Sequence, residues 1–159
     1  MAGASGGGSP AGATGATGAT GPAGPMGATG PAGPLPATLP SGQTLRGYVS
    51  PIGMATAAFQ LTQASVSFPF PLAAAPVAHF IKFGTANPAG CTGTGADPQA
   101  NPGHLCVYES QAAINVQTAR GITGPAGDDT ASRFGFSGWA TSAASSFYGF
   151  YATWAVTAA

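Results

Sequence analysis

Charged side chains are scarce in this 159-residue chain, which has four Lys or Arg residues and four Asp or Glu residues. The formal net charge is zero when the histidines are neutral. The sequence holds no basic patch that could neutralise a row of phosphates, so we exclude nucleic acid as a partner. A net charge near zero instead favours association between copies of the chain.

Long apolar runs and enzyme motifs are missing as well. The most apolar stretch, residues 68–80, is too short for a transmembrane helix and contains three prolines, so we expect no membrane span. The sequence has no Gly-x-Ser-x-Gly, His-Glu-x-x-His or phosphate-binding loop. We therefore expect a non-enzymatic protein with no catalytic residue, no cofactor and no resident metal. Asp128 and Asp129 follow a Gly-rich segment, and their few oxygen ligands favour a solvated loop over a calcium site.

Cysteine occurs only twice, at Cys91 and Cys106, on either side of a segment rich in Gly, Pro, Asn and Asp. A disulfide between them would stabilise the fold by about 3 kcal/mol and would indicate an oxidising, extracellular setting. The alternative is a pair of free buried thiols. A zinc site with His104 is disfavoured, because the sequence lacks Cys-x-x-Cys spacing and a fourth ligand.

The uneven distribution of charged and aromatic residues also indicates a boundary in the chain. No charged residue precedes Arg46 and no aromatic residue precedes Tyr48. We expect a flexible Gly/Ser/Ala tail at residues 1–11, a repeat at 12–35, a linker at 36–44 and one packed head at 45–159.

The repeat is the most regular feature of the sequence. Glycine occupies every third position over eight triplets, at Gly12, Gly15, Gly18, Gly21, Gly24, Gly27, Gly30 and Gly33, and proline follows several of these glycines. This spacing is the signature of a collagen triple helix, because only glycine fits where three chains meet at the axis. It therefore predicts a homotrimer, whereas a flexible linker would have no fixed period.

Threonine fills the third position of four triplets, at Thr14, Thr17, Thr20 and Thr29. Side chains at that position point away from a triple helix, so these hydroxyls would be either solvated or available for O-linked sugar.

From Leu45 the period changes from three to two, which indicates half-buried β-strands, and no stretch has a helical period. We expect about eight strands and a β-sandwich, most simply a jelly roll. The expected strands lie within or near residues 45–50, 54–61, 65–70, 77–83, 105–110, 114–118, 134–136 and 147–156.

The last strand is apolar or aromatic on both faces, which predicts a central position with one face in the core and the other against a neighbouring subunit. The expected core or interface residues are Tyr148, Phe150, Tyr151, Trp154 and Val156. His79 lies on an otherwise apolar strand, where we expect a hydrogen-bonded core or interface histidine. At a subunit interface its protonation would loosen the trimer.

A Gly-X-Y stalk of GAT and GPA triplets followed by a β head that ends in FYGFYATWAVTAA resembles bacterial collagen-like surface proteins, including the glycoproteins of spore exosporia. The resemblance implies a trimeric jelly-roll head of the kind shared with complement C1q and tumour necrosis factor. It also implies O-glycans on Thr14, Thr17, Thr20 and Thr29. This repeat is shorter than the stalks usual in that family, the start of the chain shows no recognisable anchoring motif, and the Cys91–Cys106 loop is not a general feature of such heads.

We therefore expect a structural protein of a bacterial cell or spore surface. Its head would bind two further copies and nucleate the triple helix, and its N-terminal part would bind an anchoring partner. The alternatives are a trimeric adhesin or lectin-like head with a glycan ligand, and a fibre or tip protein of a phage.

Overall fold

The structure is a computed structural model, and it describes residues 3, 6–8, 10, 12–24, 26 and 36–159. The chain divides into two compact units, Met1–Gly33 and Pro34–Ala159. In the first unit, every described residue is exposed and belongs to no helix or strand.

The second unit is all-β, as predicted, and its described residues form ten strands and no helix. The strands are β1 (Thr44–Val49), β2 (Ile52–Met54), β3 (Leu61–Ser67), β4 (Val77–Ile81), β5 (His104–Glu109), β6 (Val116–Gly124), β7 (Gly127–Asp128), β8 (Gly135–Ser142), β9 (Phe147–Gly149) and β10 (Ala152–Thr157). Within the part of the chain that the structure describes, no helix is long and apolar enough to cross a membrane.

Two four-stranded sheets make up most of this unit. The first sheet has the order β1-β10-β5-β4, and the second has the order β3-β8-β6-β7. A short pair, β2-β9, lies beside them. The named strands pair antiparallel except for β4 and β5, which run parallel with Val77 opposite His104.

One apolar core is built from residues of both sheets. Trp154 of the first sheet contacts Phe136 of the second, with ring centroids 6.0 Å apart, and Phe68 packs on Trp154 at 5.6 Å. Leu105 and Ile122 add fully buried side chains from the two sheets. Two sheets that share one core are compatible with a β-sandwich.

The segment predicted as one terminal strand is two strands. β9 pairs with β2, while β10 lies between β1 and β5, and the chain leaves the ladder at Phe150 and Tyr151. Gly149 adopts a φ of 133°, a conformation that side-chain-bearing residues rarely take, and this allows the break. Every residue of β10 is buried, so its predicted central position is confirmed.

Other predicted strand limits were wrong. Residues 55–60 form a turn between β2 and β3, where the Thr56 amide donates to Gln60 Oε1 at 2.7 Å. β6 and β8 extend well beyond their predicted limits, through GITG and SGWATS respectively. Glycine, serine and threonine dilute the apolar alternation there, so the pattern fades although the backbone pairing continues.

The packed unit also begins earlier than the predicted head. Leu39, in the predicted linker, is buried in the core, and its amide donates to the Pro71 carbonyl at 2.8 Å. The Gly42 amide likewise donates to the Ala158 carbonyl at 3.0 Å. Residues 36–44 therefore contribute to the head, because the apolar Leu39 gains more from core contacts than from solvent.

Candidate functional site

The disulfide-closed segment is the first candidate site. Cys91 and Cys106 are joined by a disulfide, with their Cα atoms 5.7 Å apart. We call residues 91–106 the disulfide loop. Part of this loop packs on the face of the first sheet that points away from the core shared with the second sheet. There, Thr153 Oγ1 donates to the Gly95 carbonyl at 3.0 Å, and Thr157 Oγ1 donates to the Ala100 carbonyl at 2.7 Å.

Tyr108 binds the centre of the disulfide loop to the same face of the first sheet through two hydrogen bonds. Its hydroxyl accepts from the Gly93 amide at 2.9 Å and donates to the Gln99 carbonyl at 2.5 Å. Burial raises the pKa of Tyr108 above its ordinary value, against the opposing effect of the hydrogen bond that the hydroxyl accepts from the Gly93 amide. At the sheet edge, Arg46 Nε donates to the Pro98 carbonyl at 2.8 Å.

This arrangement corrects the prediction for the last strand. Thr153, Ala155 and Thr157 form the second face of β10, and the chain's own disulfide loop covers them. A neighbouring subunit is therefore not needed to bury that face. The sequence showed that both faces were suited to burial, but it could not show which segment would cover the second one.

The predicted core or interface residues lie within the single chain. Tyr148, Phe150, Trp154 and Val156 are buried, and Tyr151 is half-buried. The indole of Trp154 donates to the Tyr48 carbonyl at 3.2 Å, so its polar group is satisfied inside one subunit.

His79 lies in β4 next to a second histidine that the sequence did not connect with it. The rings of His79 and His104 are stacked with centroids 5.3 Å apart, and His79 Nε2 lies 3.1 Å from His104 Nδ1. The parallel pairing of β4 with β5 places Val77 opposite His104, so His79 and His104 are diagonal neighbours on one face of the sheet. Burial, and next the neighbouring His104, lower the pKa of His79, while Asp129 opposes the shift.

An ion pair that the sequence pattern does not indicate joins β5 to β6. The Glu109 carboxylate is fully buried and accepts from Arg120 Nε at 2.5 Å and Arg120 Nη2 at 3.0 Å. It also accepts from the Phe83 amide at 2.8 Å. Three donors satisfy the carboxylate, which is the arrangement expected of a structural buried charge.

The outer face of the second sheet carries an open groove of about 420 Å³. We call it the serine groove, and its characteristic lining residues are Ser65, Ser67, Thr123, Ser132, Phe134 and Ser137. Of the described residues that line it, none is charged. This groove could not be predicted from the sequence, because its hydroxyl groups come from β3, β6, β8 and a turn that are distant along the chain.

Exposed apolar side chains mark a further surface, at the turn between β2 and β3. We call Ile52, Met54, Phe59 and Leu61 the hairpin patch, and their exposed fractions run from 41% for Ile52 to 75% for Met54 and Phe59. Phe59 has a φ of 63°, unusual for a bulky residue, and its amide donates to the Ser142 carbonyl at 2.7 Å.

In the single chain, the described glycines of the repeat are surrounded by open space. Gly12, Gly15, Gly18, Gly21 and Gly24 are exposed, and a Cβ added to any of them would meet nothing within 4 Å. Thr14, Thr17 and Thr20 are exposed too. The predictions for Gly27, Gly30, Gly33 and Thr29 lie outside the described residues.

No cluster of three metal-ligating side chains occurs among the residues that the structure describes. Asp128 and Asp129 are exposed at β7 and just beyond it. Comparison with family models, with curated proteins and with solved structures gives no match to this chain.

Proposed function

We propose that this chain is a structural, non-enzymatic surface protein that acts as a homotrimer, with a jelly-roll-like head and a short collagen stem. The observation that carries this proposal is the run of eight uninterrupted Gly-X-Y triplets that precedes a folded β unit in the sequence. A strict triplet period has a physical reason in a three-chain helix and none in a single chain.

The order of the strands supports the jelly-roll part of the proposal. The first and last strands of the head pair with each other, and the chain passes between the sheets from β1 to β3 and from β5 to β6. The parallel β4-β5 pair differs from the antiparallel pairing of a regular jelly roll, so the proposed fold is a variant of it.

The head supplies the proposed trimer contacts through surface that the disulfide loop leaves uncovered. The hairpin patch presents four large apolar side chains to solvent, and burying them against a second copy would remove apolar area from water. Three stems held together by their heads gain a high effective concentration, which favours nucleation of a short triple helix. The disulfide fits an extracellular location on a bacterial cell or spore surface.

A pair of substitutions in the repeat tests the stem directly. Gly21→Ala places a methyl group at the proposed axis, whereas the neighbouring Thr20→Ala changes only an outward side chain. Circular dichroism of the full chain should show a cooperative melt of a polyproline-type signal that Gly21→Ala lowers or abolishes and Thr20→Ala retains. Identical melts for both variants would contradict a triple helix.

A further inference from the structure

The serine groove is bordered by an exposed aromatic ring on a residue whose backbone is fixed by hydrogen bonds. Phe134 is 60% exposed. Its carbonyl accepts from the Phe68 amide at 2.8 Å, and its own amide donates to Ser132 Oγ at 3.1 Å. Gly135 follows with a φ of 151°, which closes the tight turn. The Arg133 guanidinium lies 5.0 Å from the Phe134 ring centroid and restricts the ring further.

Such a ring contributes little to the stability of the head, because most of its apolar surface remains in water. A rigid aromatic ring at a groove can instead serve as a stacking platform, since little conformational entropy is lost when a ligand settles on it. Its place in the lining of the serine groove, and not its exposure alone, suits Phe134 to this role.

The groove floor supplies neutral hydrogen-bonding groups. Ser65 Oγ and Ser137 Oγ lie 2.8 Å apart and bond to each other, which leaves further capacity on both hydroxyls. Ser67 and Thr123 make no side-chain hydrogen bond to any described residue. Four hydroxyl groups are thus available along one face of the second sheet.

The chemistry of the lining selects among ligand classes. A charged ligand would find no counter-charge among the described residues that line the groove. A purely apolar ligand would leave the hydroxyl groups without partners. A sugar ring can contact both the aromatic ring and the hydroxyl groups of the groove, since its C–H face is apolar and its rim carries hydroxyls.

We propose that the serine groove binds a neutral saccharide, with a C–H face of one ring stacked on Phe134 and its hydroxyls bonded to Ser67, Thr123 and the Ser65–Ser137 pair. The groove volume of about 420 Å³ lies within the range of about 300–1,000 Å³ typical of small-molecule sites. In a trimer, three shallow sites would act together and raise the avidity for a polysaccharide surface.

Labelled full-length protein on a printed array of neutral and anionic glycans provides the test. The protein should bind selectively to neutral glycans, and a positive oligosaccharide should then titrate calorimetrically. Phe134→Ala should weaken that binding by roughly five- to tenfold, because the stacking platform is lost. Phe83→Ala is the matched control, since Phe83 is a similarly exposed phenylalanine, at 56%, outside the groove.

A second variant checks the hydroxyl floor without changing its shape. Thr123→Val replaces one hydroxyl with a methyl group and should also weaken binding, with an unchanged circular dichroism spectrum. Absence of neutral-glycan binding, binding to anionic glycans alone, or equal affinities of Phe134→Ala and Phe83→Ala would each overturn the proposal. A change of oligomeric state in Phe134→Ala would overturn it too, because Phe134 would then be a contact between copies.

Discussion

Glu109 is a single carboxylate in a strand that otherwise is largely apolar, and its sequence context gives no sign of its partner. Arg120 lies 11 positions further along the chain, in another sheet, and only the folded arrangement brings the two together. The pair connects the two sheets at the end of β5, where the Phe83 amide also donates to the carboxylate. Its role is therefore to fix the relative position of β5 and β6.

We expect Glu109→Gln to lower the free energy of unfolding by about 2–3 kcal/mol, because it leaves Arg120 without its counter-charge. The loss is smaller than for a fully buried pair, since the Arg120 side chain is 16% exposed. Denaturant unfolding of the variant, with the exposed Asp128→Asn as control, measures it. A stability equal to that of the control would show that the pair contributes nothing.

His79 illustrates what a pattern can and cannot predict at the scale of a residue. Its place on a strand was predictable from the alternation of Val77, His79 and Ile81, and the structure confirms that strand. Its partner was not, because the parallel pairing with β5 that brings His104 beside it leaves no periodic signal. The neighbouring His104 disfavours protonation of His79, and Asp129 offsets this effect only in part.

The lowered pKa of His79 predicts a loss of stability in acid. The folded state binds this proton less readily than the unfolded chain, so the contribution is intact above the ordinary value of 6.5 and is lost as pH falls from there towards the lower folded pKa. Thermal midpoints at about pH 7.5 and about pH 5 should differ more for the natural chain than for His79→Gln. Equal differences for the two proteins would remove His79 from the acid response.

At the scale of elements, the disulfide loop has the most influence on the head. It packs against β5 and β10 and converts the outward face of the first sheet into a second, smaller core of Ile81, Cys91, Cys106 and Tyr108. This explains why β10 is buried on both faces without a partner subunit.

Removing the disulfide should therefore affect stability more than a surface change would. Replacing Cys91 and Cys106 together by serine should lower the free energy of unfolding by about 3 kcal/mol through the larger entropy of the unfolded chain. A reductant should destabilise the natural chain by a similar amount and leave the double variant unchanged. If the reductant shifted both proteins alike, the disulfide would not be the source of the effect.

The strands differ in how far the sequence could predict them. The alternation over residues 65–70, 77–83 and 147–156 is clear, and the all-β class follows from it, whereas the alternation over β1 and β5 is weaker. β6 and β8 are harder to recognise in the sequence, because glycine and small polar residues interrupt their apolar alternation. The serine groove is lined by serine and threonine side chains on the outward face of the second sheet, so it could not be predicted from the hydrophobic pattern.

At the scale of the whole molecule, the two units have different sequence patterns. The head has few charged residues and a core of its own, whereas the Gly-X-Y repeat has the period typical of a three-chain collagen helix. The proposed triple helix of eight triplets is short, so we expect it to need the proposed trimer of heads to hold its chains in register.

Sedimentation equilibrium of the full-length chain tests this account most directly. We predict a single species with three times the 15.3 kDa mass of the chain across a range of protein concentrations. A mass equal to one chain throughout that range would contradict the three-chain assembly on which the proposed function depends.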